Sequence, residues 1–243
     1  MTKQKKAIVL SSGGCDSTVC LGIAVAKLGA ENVSTVAVRY GQKHCREIEC
    51  SQKIADYYRC AHYTFDLSEI FKSSNCPLLS KSSEQVPEGS YDEQIGRAAN
   101  GKVATYVPFR NGLMLSVVAS LAMSIYPDDN VDIYIGAHAD DAAGNAYADC
   151  SESFTTKMSE AIYEGTYGQV NVITPLIRMN KAEVVEKGLK LKVPFELTTS
   201  CYNGKEKACG KCGTCIDRIN AFKTNGEIDP IEYEFNPFET TEG

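Results

Sequence analysis

The chain has 243 residues, 43% of them hydrophobic and 23% charged, and 25 Lys+Arg against 31 Asp+Glu leave a formal net charge of -6. That length and balance support one large core, or one domain with a small appendage, and the acidic excess argues against a nucleic-acid-binding surface as the dominant feature. No stretch reaches the roughly 18 apolar residues of a membrane span, and the first apolar run, Ala7-Ile8-Val9-Leu10, is too short for a secretory signal core, so the sequence predicts a cytoplasmic protein that handles nucleotides and small metabolites.

That first run predicts a short strand. Leu10, Ser11, Ser12, Gly13, Gly14, Cys15, Asp16, Ser17 and Thr18 then form a loop and first turn leading into a helix that carries Val19, Leu21, Ile23 and Ala26. The two glycines let the backbone turn tightly and approach a ligand with no Cβ in the way. Unpaired N–H groups and the positive dipole end of the helix favour an anion there. The Ser12 and Ser17 hydroxyls add donors on an exposed loop, whereas Asp16 suits capping the helix or holding Mg²⁺. A kinase-type P-loop needs a lysine directly after its second glycine, and none follows here. The remaining pattern, Ser-Gly-Gly-x-Asp-Ser, resembles the signature of PP-loop ATP pyrophosphatases, which cut ATP between its α and β phosphates and adenylate a substrate.

Further along, residues 33–38 predict a second strand ending at Arg39-Tyr40-Gly41-Gln42, residues 44–59 a helix and 61–67 a third strand. Residues 69–105 are rich in Ser, Lys, Glu and Gly without a sustained apolar period; connections of this length are commonly lids, and closure over bound ligands is expected here. Leu113, Met114, Val117, Val118, Leu121 and Ile125 recur at helical steps and mark a buried face. Val131, Ile133 and Ile135 alternate toward Gly136, residues 170–175 predict another strand, and Asn180 and Glu183 are spaced as a capping box. The alternation of strands and helices predicts an α/β fold, an open parallel sheet with crossover helices. Ligands of such sheets gather at the carboxyl ends of the strands, which brings the loop after Leu10, the turn from Tyr40 to His44 and the segment after Ile135 around one pocket.

Eleven cysteines in a reducing compartment argue for a metal site and buried free thiols over a disulfide framework. Cys201, Cys209, Cys212 and Cys215 are spaced C-x₇-C-x₂-C-x₂-C, the short spacings with which turn amides fold around a tetrahedral structural zinc. Iron–sulfur ligation is the competing reading, although Cys215 is followed by Ile216-Asp217-Arg218 where a ferredoxin-type run continues differently. Ile216, Ile219 and Phe222 predict a short helix docked on the main sheet. These features divide the chain into an ATP-binding domain at 1–195 and a small C-terminal zinc-binding segment at 196–243. Cys15, Cys20, Cys45, Cys50, Cys60, Cys76 and Cys150 have no ligand spacing and are expected to be small buried residues.

Taken together, the Ser-Gly-Gly-x-Asp-Ser loop, Tyr40-Gly41-Gln42-Lys43-His44, Thr105-Tyr106-Val107-Pro108-Phe109-Arg110-Asn111 and Cys201-Tyr202-Asn203-Gly204 resemble, in this order, the 7-cyano-7-deazaguanine synthase family of queuosine-precursor biosynthesis. The resemblance spans about residues 6–230. It implies a PP-loop, adenine nucleotide alpha hydrolase-like fold, ATP and Mg²⁺, a structural Zn²⁺, a homodimer, and no nucleic-acid or membrane partner. The implied activity is a ligase that turns 7-carboxy-7-deazaguanine and ammonia into the 7-cyano base through adenylated intermediates. On this resemblance Asp16, Ser17, Arg110, His44 and Lys181 are candidates for catalysis, the loop from Leu10 through Thr18 for the nucleotide, and Tyr40, Gln42, Arg110, Asn111, Asp140 and Asp149 for substrate.

The residue chemistry agrees with those roles while leaving plainer ones open. The planar fork of Arg110 suits a phosphate or carboxylate bidentately, and Lys181 and Lys43 are further cations, each equally readable as a solvated lysine. His44 suits acid–base work or a helix start. Asp140, Asp141 and Asp149 suit Mg²⁺, the amino edge of the base, or ordinary caps and turns. Two positions depart from the family pattern: Cys15 fills the variable place in the glycine loop, and Ala148 stands where many relatives have Pro. Within the same superfamily, a tRNA-thiolating enzyme would need a basic RNA surface; a paralogue acting on another acceptor, or a non-catalytic nucleotide-binding module, would carry the same loop.

Overall fold

The structure, a computed structural model, describes residues 4–43, 46–90, 93–94, 103–142 and 147–238. Strand β1 (Lys5–Leu10) runs into helix α1 (Cys15–Leu28), followed by β2 (Val33–Arg39), α2 (Arg46–Tyr58), β3 (Ala61–Asp66) and the single turn α3 (Ser68–Phe71). The chain continues through α4 (Arg110–Ile125), β4 (Asn130–Tyr134), the short α5 (Ala139–Ala142), α6 (Glu152–Gly165), β5 (Val170–Ile173), α7 (Lys181–Lys190) and α8 (Gly213–Thr224). Among the described residues the strands form one parallel sheet in the order β3-β2-β1-β4-β5, the expected open α/β sheet with crossover helices. No helix among these residues is long and apolar enough to cross a membrane.

Parallel strands covered on both faces should be apolar throughout, and β1 shows why. Successive side chains point to opposite faces, so Ala7 and Val9 pack with α1, α2, α7 and α8 through Val19, Ile54, Val184 and Phe222. Ile8 and Leu10 pack on the other face with α4 and α6 through Leu115, Val118 and Ile162. Chain order reverses at β1, whose neighbours are β2 and β4, and that reversal opens a crevice at the carboxyl ends of these strands.

Several sequence expectations shift in detail. Of the face expected on α4, Val118 is fully buried and Leu113, Met114, Val117, Leu121 and Ile125 are partly buried, while Leu115, Ala119 and Ala122 complete the buried stripe and centre it slightly to one side of the expected one. Small alanines let the helix lie close on the sheet, leaving the longer side chains to flank the contact. The strand expected at 170–175 stops at Ile173. The capping box is present, with Asn180 Oδ1 accepting from Glu183 N at 2.9 Å and Glu183 Oε2 accepting from Asn180 N at 2.8 Å.

Of the expected lid at 69–105, residues 91–92 and 95–102 lie outside the described ones, and the first part of the remainder is better packed than its polar composition implies. Phe71, Cys76, Leu78 and Leu79 are buried against Tyr40 and Val107. Residues near 80 are tied to the turn after β2 by Lys43 N donating to Leu78 O at 2.9 Å and Ser80 N to Gly41 O at 2.8 Å. Gly89 N donates to Lys211 O at 3.1 Å, so the same stretch also touches the cysteine segment. The ten described cysteines are buried thiols. Helix α8 starts from Cys212 and places Ala221 and Phe222 in the core shared with α1 and α7.

Candidate active site

The loop between β1 and α1 is shaped before any ligand arrives. Ser11 N donates to Val36 O at 2.8 Å, and Ser51 Oγ on α2 donates to Ser11 O at 3.0 Å. Gly13 has φ 76°, where a side chain is strained, and a Cβ there would overlap the Glu47 carbonyl oxygen and lie 2.8 Å from Ser51 N. From the other side Thr199 N donates to Gly13 O at 2.9 Å. Ser17 Oγ lies 3.2 Å from Ser12 Oγ and accepts from Ser12 N at 3.2 Å. Free N–H groups of the first turn and two hydroxyls thus face one concavity, the chemistry of an anion cradle.

The N-cap of α1 is Gly14, without a side-chain cap, so of the two roles the sequence left open to Asp16, capping the helix or holding Mg²⁺, the cap is not taken. Asp16 lies inside the first turn, where both carboxylate oxygens accept from Lys181 Nζ at 2.6 and 2.7 Å. Burial works to raise the Asp16 carboxyl, but the Lys181 ammonium and then His138 hold it below the ordinary carboxylate range. The loop is exposed only in part, with Ser12 exposed, Asp16 half-buried and Ser17 buried. Gly136, just past β4, permits this arrangement: a Cβ there would stand 3.0 Å from the Ser17 backbone nitrogen. The next residues bring His138, whose Nε2 lies 3.8 Å from Asp16 Oδ2 and 3.5 Å from Asp141 Oδ1. Burial raises the Asp141 carboxyl in spite of His138.

Helix α4 supplies the other cation. Phe109 is left-handed at φ 53° and swings Arg110 into the first turn, where its guanidinium carbon sits 5.0 Å from the centre of the Tyr40 ring. Burial would lower the Arg110 guanidinium, but Tyr40, Cys150 and Glu47 raise it overall and keep it charged. Asn111 N donates to Asp149 Oδ2 at 2.9 Å, so Asp149 closes the start of α4, and the Asn111 side-chain amide turns to Asp149 O and Cys150 Sγ. Asp140 Oδ2 accepts the Lys181 backbone N–H at 2.7 Å, fixing the start of α7. Gln42 folds back on its own turn, accepting from Tyr40 N at 2.8 Å. Lys43 does not reach the cavity, because its Nζ donates to Glu84 O at 2.6 Å on the stretch after α3. His44 lies outside the described residues.

One cavity therefore unites the glycine loop, Asp16, Ser17, Tyr40, Gln42, Arg110, Asn111, Asp149 and Lys181; Asp140 stands at its edge through Lys181. It also holds Glu47, His138, Thr199 and Asp217, none of which sequence reasoning singled out. The strand-end rule was signal enough for His138, two residues beyond Gly136. Nothing local marks Glu47 or Thr199.

The sulfur atoms of Cys201, Cys209, Cys212 and Cys215 lie within 4.8 Å of one another. Backbone N–H groups of Lys211 and Cys212 point at Cys209 Sγ at 3.4 Å, and that of Cys209 at Cys201 Sγ at 3.4 Å, the turn amides that offset thiolate charge around a metal. Beneath them Arg218 is fully buried, with Nε and Nη2 on the Asp229 carboxylate at 2.6 and 2.8 Å and Nη1 on Thr198 Oγ1 at 2.7 Å.

Residues 6–226 match the family described as "Queuosine biosynthesis protein QueC". The 7-cyano-7-deazaguanine synthase of Oceanobacillus iheyensis is 38% identical over 231 residues, covering 94% of this chain and 98% of that protein. The enzyme of the same name from Thermoplasma acidophilum is 39% identical over 246 residues, covering 97% of this chain and 94% of that protein. Among solved structures, an NH3-dependent NAD synthetase from Campylobacter jejuni aligns at a TM-score of 0.49 and 14% identity, over 93% of this chain and 77% of that chain.

Proposed function

Because the chain belongs to the queuosine biosynthesis protein QueC family, we infer that it is an ATP-dependent ligase converting 7-carboxy-7-deazaguanine and ammonia to 7-cyano-7-deazaguanine. The observation that carries the assignment is the near full-length match to enzymes of that name, and the preshaped cavity at the strand ends supports it. A carboxylate resists ammonia because oxide is a poor leaving group. Attack of that carboxylate on the α-phosphorus of ATP transfers the AMP group to it, giving an acyl adenylate, and breaks the α–β bond to release pyrophosphate. Addition of ammonia with loss of AMP gives the amide, and adenylation of the amide oxygen allows AMP to leave a second time and form the nitrile.

In this reading the loop at 11–17 receives the pyrophosphate through backbone N–H groups and the Ser12 and Ser17 hydroxyls. Lys181, held by Asp16, and Arg110 offset charge on the phosphates and substrate carboxylate; Tyr40, Gln42, Asn111, Asp140 and Asp149 frame the base, and His44 is a further acid–base candidate. Mg²⁺ would be held by cavity carboxylates such as Asp141, and would supply further charge neutralisation at the phosphates. The four cysteines hold a structural zinc, since four protein thiolates leave no position for substrate. Residues 1–195 are the ATP-binding unit and 196–243 the zinc segment, the stretch at 69–105 is a lid, and the enzyme works in the cytoplasm as a homodimer on small molecules, without a nucleic-acid partner. Purified protein with ATP, Mg²⁺, ammonium and 7-carboxy-7-deazaguanine is expected to yield the nitrile by mass, with AMP and pyrophosphate. Stoichiometric ADP and phosphate, without nitrile, would overturn the assignment.

A further inference from the structure

Amination needs a proton acceptor. At neutral pH ammonia is present mostly as ammonium, which has no lone pair with which to attack. Four aspartates near the cavity already accept hydrogen bonds: Asp16 from Lys181 Nζ, Asp140 from Lys181 N, Asp149 from Asn111 N, and Asp141 Oδ2 from His138 N at 3.2 Å. Asp217 and Glu47 accept none among the described residues, but Asp217 stands among Lys181, His138, Asp140 and Asp141, whereas Glu47 faces Arg110. It stands in the first turn of α2 and lines the cavity together with Tyr40 and Arg110, and among the described residues no hydrogen bond takes up its carboxylate. Its backbone carbonyl abuts Gly13, so the side chain rises from the wall of the phosphate loop itself.

The ionisable groups facing Glu47 are the Arg110 guanidinium at the start of α4, the Tyr40 phenol just past β2 and the Cys50 thiol of α2. Burial pushes the Glu47 carboxyl up to about 7, with Arg110 pulling it back only in part. Both protonation states are therefore populated at neutral pH, as a group that takes and returns a proton requires.

We propose that Glu47 binds ammonium and accepts its proton, releasing ammonia beside the activated carboxyl group held on the Arg110 side of the cavity. The inference rests on the ligase reading and deepens it. An N–H bond of ammonium breaks, its electron pair stays on nitrogen, and the proton goes to a Glu47 oxygen. That pair forms the C–N bond at the acyl adenylate, and the C–O bond to AMP breaks with its electrons leaving on the phosphate oxygen. The amide nitrogen sheds its surplus proton to water, and Glu47 returns its own through the cavity mouth.

The test separates adenylation from amination in Glu47→Gln, which keeps the shape and removes the charge. Adenylation is read as pyrophosphate exchange into ATP dependent on 7-carboxy-7-deazaguanine, and amination as amide formation with ammonium. Amide formation is expected to fall at least about 100-fold further than exchange does, the usual weight of a general base. Hydroxylamine, already uncharged at neutral pH, should restore much of the lost rate as the hydroxamate, and Glu47→Asp should recover part of it with ammonium. In the native enzyme the pH profile of amide formation should break near about 7, where the base loses its proton, whereas Glu47→Gln should lack that break and rise only as free ammonia accumulates with pH. Equal losses in both half-reactions, or amination by Glu47→Gln at the native rate, would overturn the role. Native protein that shows no exchange with this substrate would instead overturn the ligase reading, and this inference with it.

Discussion

At Gly13 the backbone is left-handed and wedged between α2 and Thr199, so the loop has nowhere to shift if a side chain is added. Gly13→Ala is expected to weaken nucleotide binding by at least about 10-fold, since strain at such a position is worth on the order of 1–2 kcal/mol before the overlap with Glu47 is relieved. Titration calorimetry with ATP checks this, and native-like affinity would mean the loop is more pliable than its contacts indicate. The glycines and the two serines were readable because their contacts are local to one turn. Long-range partners decided the rest: Asp16 pairs with Lys181, 165 positions away, and so is not a cap. Glu47 reads in sequence as one more charge on an amphipathic helix, and only the fold turns it into the cavity.

Among the elements, the strands and helices around the central core were legible because hydrophobic period reports burial directly. The stretch at 69–105 was not, because Phe71, Cys76, Leu78 and Leu79 pack irregularly against Tyr40 and Val107 and leave no period to read. Those anchors hold one end, near the turn after β2, while Lys81, Ser83 and Glu84 beyond them are exposed. If this stretch covers the acyl adenylate, which hydrolyses readily, hydrogen exchange across 81–90 should slow when ATP and the carboxylated base bind together, with little change over the anchors at 76–80. Exchange already slow in the free protein and unmoved by both ligands would make the stretch a fixed wall.

For the molecule as a whole, the reversal of strand order at β1 sets where the cavity lies, and the C-terminal segment fixes how firmly it is held. Arg218 and Asp229 are both without solvent exposure, so Arg218→Met leaves a carboxylate buried and unpaired, at a cost of roughly 3–5 kcal/mol. A fall in Tm on the order of 10 °C is expected by calorimetry, and replacing Asp229 by Asn in the same protein should recover part of it. The pairing was illegible beforehand because Arg218 looked like an ordinary charged residue of a short helix. The hydrogen bond from Thr199 to Gly13 reaches further, because Cys201 follows only two residues later. With a metal on the cysteines and pyrophosphate on the loop, as proposed above, the two would be linked ligands of one stretch of backbone, and linkage is reciprocal: whatever factor the metal adds to pyrophosphate affinity, pyrophosphate must add to metal affinity. Metal release to a chelator should accordingly be slower with saturating pyrophosphate than without it. Equal release rates would mean that the two ends of this short segment relax independently.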